Sequence, residues 1–267
     1  MSIRATLKGA VAAVLLSVAS TAAMADGAAP SVKALTNASP THVLFVGNSY
    51  LYYGDSLHNH VRRMVIAAGI NDAKGLKYKS ATISGSALHD HNIDSYILND
   101  KLRVKKPFDV VILQEGSALG WSKKRPGVFK NTATEFAAKI AAAGGETALY
   151  MTHAYVAPHK RFDSAMTATL AKHYTEVGNA VGALVIPVGL AFEEAYRQRP
   201  DLQLHKTFDG SHPDLIGTYL AAATVFASLY GQSPVGIPYD YYGQIDKETA
   251  NFLQEVAQKT VTEFYGR

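Results

Sequence analysis

Two kinds of apolar pattern alternate along this chain. Four short runs, at 42–46 (HVLFV), 108–113 (FDVVIL), 147–152 (TALYMT) and 184–188 (LVIPV), consist largely of β-branched, aromatic or other apolar residues. Such runs predict strands covered on both faces, as in a parallel sheet. A fifth run, at 76–83 (LKYKSATI), alternates polar and apolar residues, as an outer strand does. FDVVIL is the most hydrophobic and is expected at the centre of the sheet. After the first strand, Leu57, Val61, Met64, Val65 and Ala68 recur at helical spacing. Further helices are expected over 90–102, 129–143, 162–181, 190–197, 214–230 and 247–264, with Gly144 and Gly145 ending the second of these and Pro213 fitting the first turn of the helix at 214–230. Strands alternating with helices five times predict a doubly wound parallel sheet.

In open α/β sheets, ligands bind outside the carboxyl ends of the strands. The polar residues delivered there are therefore the candidates for chemistry. The first strand ends in Gly47, Asn48 and Ser49, the second in Ser84, Gly85 and Ser86, the third in Gln114, Glu115 and Gly116, and the fourth in His153, Ala154 and Tyr155. Ser49, directly after a core strand, stands where a nucleophile would. The letters GDSL at 54–57 offer a second serine, but Ser56 directly precedes the amphipathic run, where a serine is expected as a helix N-cap. A serine hydrolase also needs a base, a group that orients the base, and donors for the oxyanion. His212 is the candidate base, histidine being the side chain whose unperturbed charge change falls nearest neutrality, and Asp209 stands three residues before it in DGSHP. Taken alone, DGSHP reads rather as a helix-start turn, with Asp209 bonding to backbone and His212 incidental.

Composition narrows the setting. Arg4 and Lys8, an apolar stretch over 9–19, and Ala23, Met24 and Ala25 before Asp26 make residues 1–25 a secretory signal peptide with an A-x-A cleavage site. Residues 26–40, rich in Ala, Ser, Pro and Asn, are expected as a flexible leader into one domain over 41–267. With no cysteine, disulfides, a thiolate nucleophile and a lipid-modified cysteine are excluded. Export without disulfides suits a bacterial periplasm or the extracellular space. The formal charge of +4 falls to +2 once Arg4 and Lys8 leave with the signal, too little to argue for nucleic acid. No later stretch is apolar enough to span a membrane, and the oligomeric state is not readable from the sequence.

Taken together, four blocks resemble the SGNH hydrolases, the GDSL-like lipases and esterases. GNS at 47–49 is similar to the nucleophile block, in which Asp normally stands at the position of Asn48. SGS at 84–86 resembles the block whose glycine donates a backbone N–H, the role Gly85 inherits. DGSH at 209–212 looks like the D-x-x-H block. The remaining block departs: the usual G-x-N-D supplies an asparagine amide, whereas this strand ends in Gln114 and Glu115, as in a variant branch with GNS and QE. The resemblance implies a flavodoxin-like three-layer α/β/α sandwich around a five-stranded parallel sheet, with Ser49, His212 and Asp209 as catalytic triad. It also implies an oxyanion hole from the N–H groups of Ser49 and Gly85 plus the amide of Gln114, and neither metal nor cofactor.

The expected activity is hydrolysis of a short-chain acyl ester, acetyl above all, of a carbohydrate or small molecule, short because no long apolar lid segment is evident. A glycan-binding protein that hydrolyses nothing, and an O-acyltransferase, are the alternatives that Asn48, Gln114 and Glu115 leave open. His89, His91, Asp90 and Asp94, and His153 with His159, contain histidines of a kind that bind metals, but lack paired imidazoles at helical i, i+4 spacing and read as surface or substrate-rim residues, with His153 able to line the pocket. Glu115 is read either as orienting Gln114 through a neighbouring loop or as touching substrate. Trp121, Tyr50, Tyr52, Tyr53 and Tyr155 read either as a sugar-stacking wall or as loop packing. The run Lys123, Lys124, Arg125 is read as a solvated loop.

Overall fold

The computed structural model describes residues 29–98 and 100–267, so the segment read as a signal peptide lies outside the described residues. Five strands, β1 (His42–Gly47), β2 (Lys77–Thr82), β3 (Val110–Leu113), β4 (Glu146–Tyr150) and β5 (Leu184–Ile186), form one sheet in the order β2-β1-β3-β4-β5, with every neighbouring pair parallel. The alternating strand β2 is at an edge, and β3, buried at all four positions, is at the centre. The helices are α1 (Ser49–Tyr52), α2 (Leu57–Ala67), α3 (Asp94–Ile97), α4 (Arg125–Ala142), α5 (Met166–Val181), α6 (Val188–Gln198), α7 (Leu215–Tyr230) and α8 (Lys247–Tyr265). From β1 the chain steps one way to β2, then the other way through β3, β4 and β5. Right-handed crossovers therefore place α2 on one face and α4 and α5 on the other. α7 packs on α2, α6 and α8, and α4 packs on α5, giving the α/β/α layers. Helix α7 is buried at 14 of its 16 residues, which is why its sequence is apolar all round instead of striped.

Several expectations about local structure fail. The helix expected over 90–102 is broken into short turns around α3, because Asp100, Leu102 and Arg103 adopt left-handed backbone (φ 65°, 51° and 56°) that no α-helix accommodates. Helix α4 starts at Arg125, inside the basic run, with Pro126 in its first turn. The described part of the leader is laid along the domain: Asn179 binds Ser31 and the Ala29 carbonyl, and the Glu146 carboxylate takes the N–H groups of Thr36 and Asn37. Pro213 lies ahead of the α7 cap, which is Asp214, whose carboxylate accepts the Leu215 N–H.

Candidate active site

The site begins with the end of β1. Val43 to Val46 are fully buried, and Gly47 is a glycine for want of room: a Cβ there would lie 2.3 Å from Gln114 Oε1. Asn48 caps α1 by accepting the Tyr50 N–H at 3.1 Å, which makes Ser49 the first residue of that helix. Its N–H is thus one of the donors a helix start leaves without an internal partner. Ser49 is 7% exposed, set in the crevice yet reachable.

The second part comes from the loop before α7. Asp209 Oδ1 accepts the backbone N–H groups of Ser211 (2.8 Å) and His212 (3.1 Å), so the carboxylate folds its own turn. Asp209 Oδ2 faces His212 Nδ1 at 2.5 Å, and His212 Nε2 faces Ser49 Oγ at 2.9 Å. With the carboxylate as acceptor, the imidazole carries its proton on Nδ1 and offers a lone pair on Nε2 to the serine hydroxyl. Burial pushes the Asp209 carboxyl pKa up, but hydrogen bonds from the His212 ring and from the two backbone N–H groups outweigh it and hold the net value below the ordinary one. The acid therefore stays ionised. Tyr53 stacks on the His212 ring at 4.1 Å, and Tyr50 meets it edge-on at 5.8 Å. Neither contact was read from the sequence; the position of Tyr53, one helical turn beyond Ser49, was the only available signal.

His153 is a prop behind this loop and lines no pocket. It is fully buried, its Nε2–H donates to the Ser211 carbonyl at 2.9 Å, and its ring is sandwiched between Tyr50 and Phe192 at 4.5 and 4.3 Å. Burial drives its pKa well down, so it is neutral. The Val156 N–H to Gly210 carbonyl bond (2.8 Å) ties the loop after β4 to the same turn.

The residues that depart from the usual blocks interlock. Gln114 does not face the crevice as an oxyanion donor. Its Oε1 accepts the Asn48 N–H at 2.9 Å, its Nε2 donates to the Glu115 carbonyl at 2.5 Å, and it has no exposed surface. The extra methylene lets the amide fold back on its own strand end. Asn48 Nδ2 donates to the Ser86 carbonyl at 2.8 Å, a bond an Asp carboxylate could not make. Glu115, also fully buried, accepts the Leu88 N–H at 3.0 Å and lies 3.7 Å from Arg125, so it orients the neighbouring loop and not Gln114. These three side chains pin the loop after β2 to the nucleophile turn. At its tip Gly85 is exposed and left-handed (φ 69°), and its N–H has no protein acceptor among the described residues. The backbone N–H groups of Ser49 and Gly85 have no protein acceptor among the described residues.

Ser56 occupies the residue before α2 with left-handed backbone (φ 66°) and makes no side-chain cap bond, so the expected serine cap is not formed. Among the described residues its hydroxyl makes no hydrogen bond to an imidazole, and the letters GDSL at 54–57 run from a turn into the first residue of α2. Among the described residues no group of three or more His, Cys, Asp or Glu is placed to hold a metal. His91 bonds to Ser86 Oγ, and Asp94 pairs with Lys139. The tyrosines join loops to one another: Tyr155 donates to Ser117 Oγ, Tyr52 to Ser84 Oγ, and Tyr50 pairs with Ser211 Oγ. Trp121 lies under the Arg161 guanidinium, 3.7 Å from ring centre to Cζ.

No family model and no curated protein matches the chain. Solved structures do. A DUF4886 family protein from Bacteroides uniformis superposes with a TM-score of 0.65 at 20% identity, over 82% of this chain and 93% of its own. A protein from Slackia heliotrinireducens classed among the SGNH hydrolases gives 0.55 at 20% identity, over 70% and 97%. A catalytic mutant of Axe2, an acetylxylan esterase from Geobacillus stearothermophilus, gives 0.51 at 15% identity, over 70% and 92%. At 15–20% identity the likeness to these structures is one of fold: a five-stranded parallel sheet with helices on both faces, an architecture this chain shares with proteins that include an SGNH hydrolase and an acetylxylan esterase.

Proposed function

We propose that this protein is an exported serine esterase that hydrolyses short acyl esters, acetyl first among them, of a carbohydrate or small molecule. The observation that carries this reading is the continuous hydrogen-bonded series from Ser49 Oγ through His212 to Asp209 at the carboxyl end of β1. Ser49 Oγ adds to the ester carbonyl carbon as its proton passes to His212 Nε2, and ionised Asp209 steadies the imidazolium. The oxyanion that forms takes the N–H groups of Ser49 and Gly85. His212 returns the proton to the departing alcohol oxygen, the ester C–O bond breaks, and the acyl group stays on Ser49. A water molecule, giving its proton to the same nitrogen, then releases the acid and restores the serine. The scheme requires no cofactor. Export is supported by the pattern of residues 1–25, and a short acyl group by the acetylxylan esterase among the structural relatives.

Purified mature protein should cleave p-nitrophenyl acetate faster than p-nitrophenyl esters of long acids. Ser49→Ala should lose that activity by roughly 10⁴-fold or more, while Ser56→Ala keeps it. Equal turnover by Ser49→Ala and wild type would remove the mechanism.

A further inference from the structure

Around the site, four of the loops that build it each carry one large apolar side chain into solvent: Ile83 (42% exposed) two residues before Gly85, Trp121 (47%) beyond Gln114, Phe162 (57%) on the loop after β4, and Phe208 (69%) directly before Asp209. Two of these arcs are also cationic. Lys123, Lys124 and Arg125 flank Trp121, and Lys160 and Arg161 precede Phe162, while residues 116–134 and 153–162 contain no acid. The arcs are joined where Arg161 lies flat over Trp121. Among the described residues, Arg161, Lys160, Lys123 and Lys124 have no carboxylate within 4.0 Å. The nearby Asp163 turns its carboxylate to the Ala165 N–H. A guanidinium held face-down on an indole keeps its planar edge of N–H donors directed outward, the arrangement that pairs bidentately with a carboxylate.

We propose that this rim is a substrate-binding site for an anionic glycan: pyranose faces rest on the exposed apolar side chains, and a sugar carboxylate pairs with Arg161 while the ester is presented to Ser49. The inference rests on the esterase reading above and names its substrate class as an acylated, uronate-bearing saccharide. The alternation of isolated apolar tips with cations around a polar crevice fits a chain of sugars, each with two apolar faces and a charged edge, better than a continuous lipid surface, which would call for one contiguous apolar patch.

Oligogalacturonate and a neutral xylo-oligosaccharide of equal length, tested as competitors of p-nitrophenyl acetate hydrolysis, separate the possibilities. Oligogalacturonate should raise the apparent KM without changing kcat, should bind about tenfold tighter than the neutral chain, and should lose that advantage as salt rises from about 0.05 to about 0.5 M. Arg161→Gln should remove most of the preference, whereas Lys77→Gln, at the opposite end of the sheet, should keep it. Calorimetric binding of both oligosaccharides to Ser49→Ala reads the rim independently of turnover. Equal affinity for the two chains, a preference that survives Arg161→Gln, or binding to anionic phospholipid vesicles without binding to oligogalacturonate would each overturn the inference. Tight oligogalacturonate binding by a protein with no serine-dependent hydrolysis would sink the esterase reading alone.

Discussion

Replacing Gln114 by methionine separates two roles that its position allows. Methionine keeps the length and approximate volume of the side chain but offers no hydrogen bonds, so the change isolates the amide from its packing. In the structure the amide serves two buried backbone groups, the Asn48 N–H at 2.9 Å and the Glu115 carbonyl at 2.5 Å. Orphaning a buried polar group costs about 1–3 kcal/mol, so the pair amounts to about 2–6 kcal/mol. At roughly 2–4 °C per kcal/mol for a chain of this size, Gln114→Met should lower Tm by at least about 4 °C. If the amide were instead an oxyanion donor, its loss would cost about 10²- to 10³-fold in kcat and leave Tm unchanged. Thermal unfolding and p-nitrophenyl acetate kinetics on the same preparation decide between the two. A Tm within about 1 °C of wild type, together with a hundredfold fall in kcat, would refute the clamp and return Gln114 to the oxyanion hole.

Three further outcomes follow from the geometry. Asp209→Asn should lower kcat about 10³- to 10⁴-fold, since an amide no longer selects the Nδ1 tautomer or stabilises the imidazolium; a loss below tenfold would show that the carboxylate does not orient the base. Gly47→Ala places a Cβ 2.3 Å from Gln114 Oε1 and should destabilise by about 1–3 kcal/mol, which chemical denaturation would measure; a neutral change would contradict the close packing of the two strand ends. Burial lowers the His205 pKa to about 4, so below pH about 6.5 the unfolded chain binds a proton that the folded ring refuses, and stability falls as pH drops from that value towards 4, by about 3 kcal/mol in all. His205→Gln should flatten that part of the stability-versus-pH curve, and an unchanged slope would contradict the assignment.

How much of this was legible before the fold was known depends on how local each feature is. Strand runs, their alternation with helices, the edge place of 76–83 and the central place of 108–113 are consequences of which faces each segment must bury, and burial demand is written in side-chain type and spacing. The different settings of Ser49 and Ser56 were legible for the same reason: one follows a strand into the crevice, the other precedes a helix. The helix expected over 90–102 was not, because left-handed backbone at Asp100, Leu102 and Arg103 leaves no trace in hydrophobic spacing. The ordered leader was not either, since its partners Glu146 and Asn179 lie more than a hundred residues away. Only the packed structure decided what Gln114 does. A side-chain amide reaches a substrate or folds onto its own strand end according to what lies within about 3 Å, and here the Asn48 N–H, carried in by a neighbouring strand, lies within that reach. The identity of polar residues at strand ends is a property of the chain, but the atoms they satisfy are supplied by other strands, and no one-dimensional pattern records that pairing.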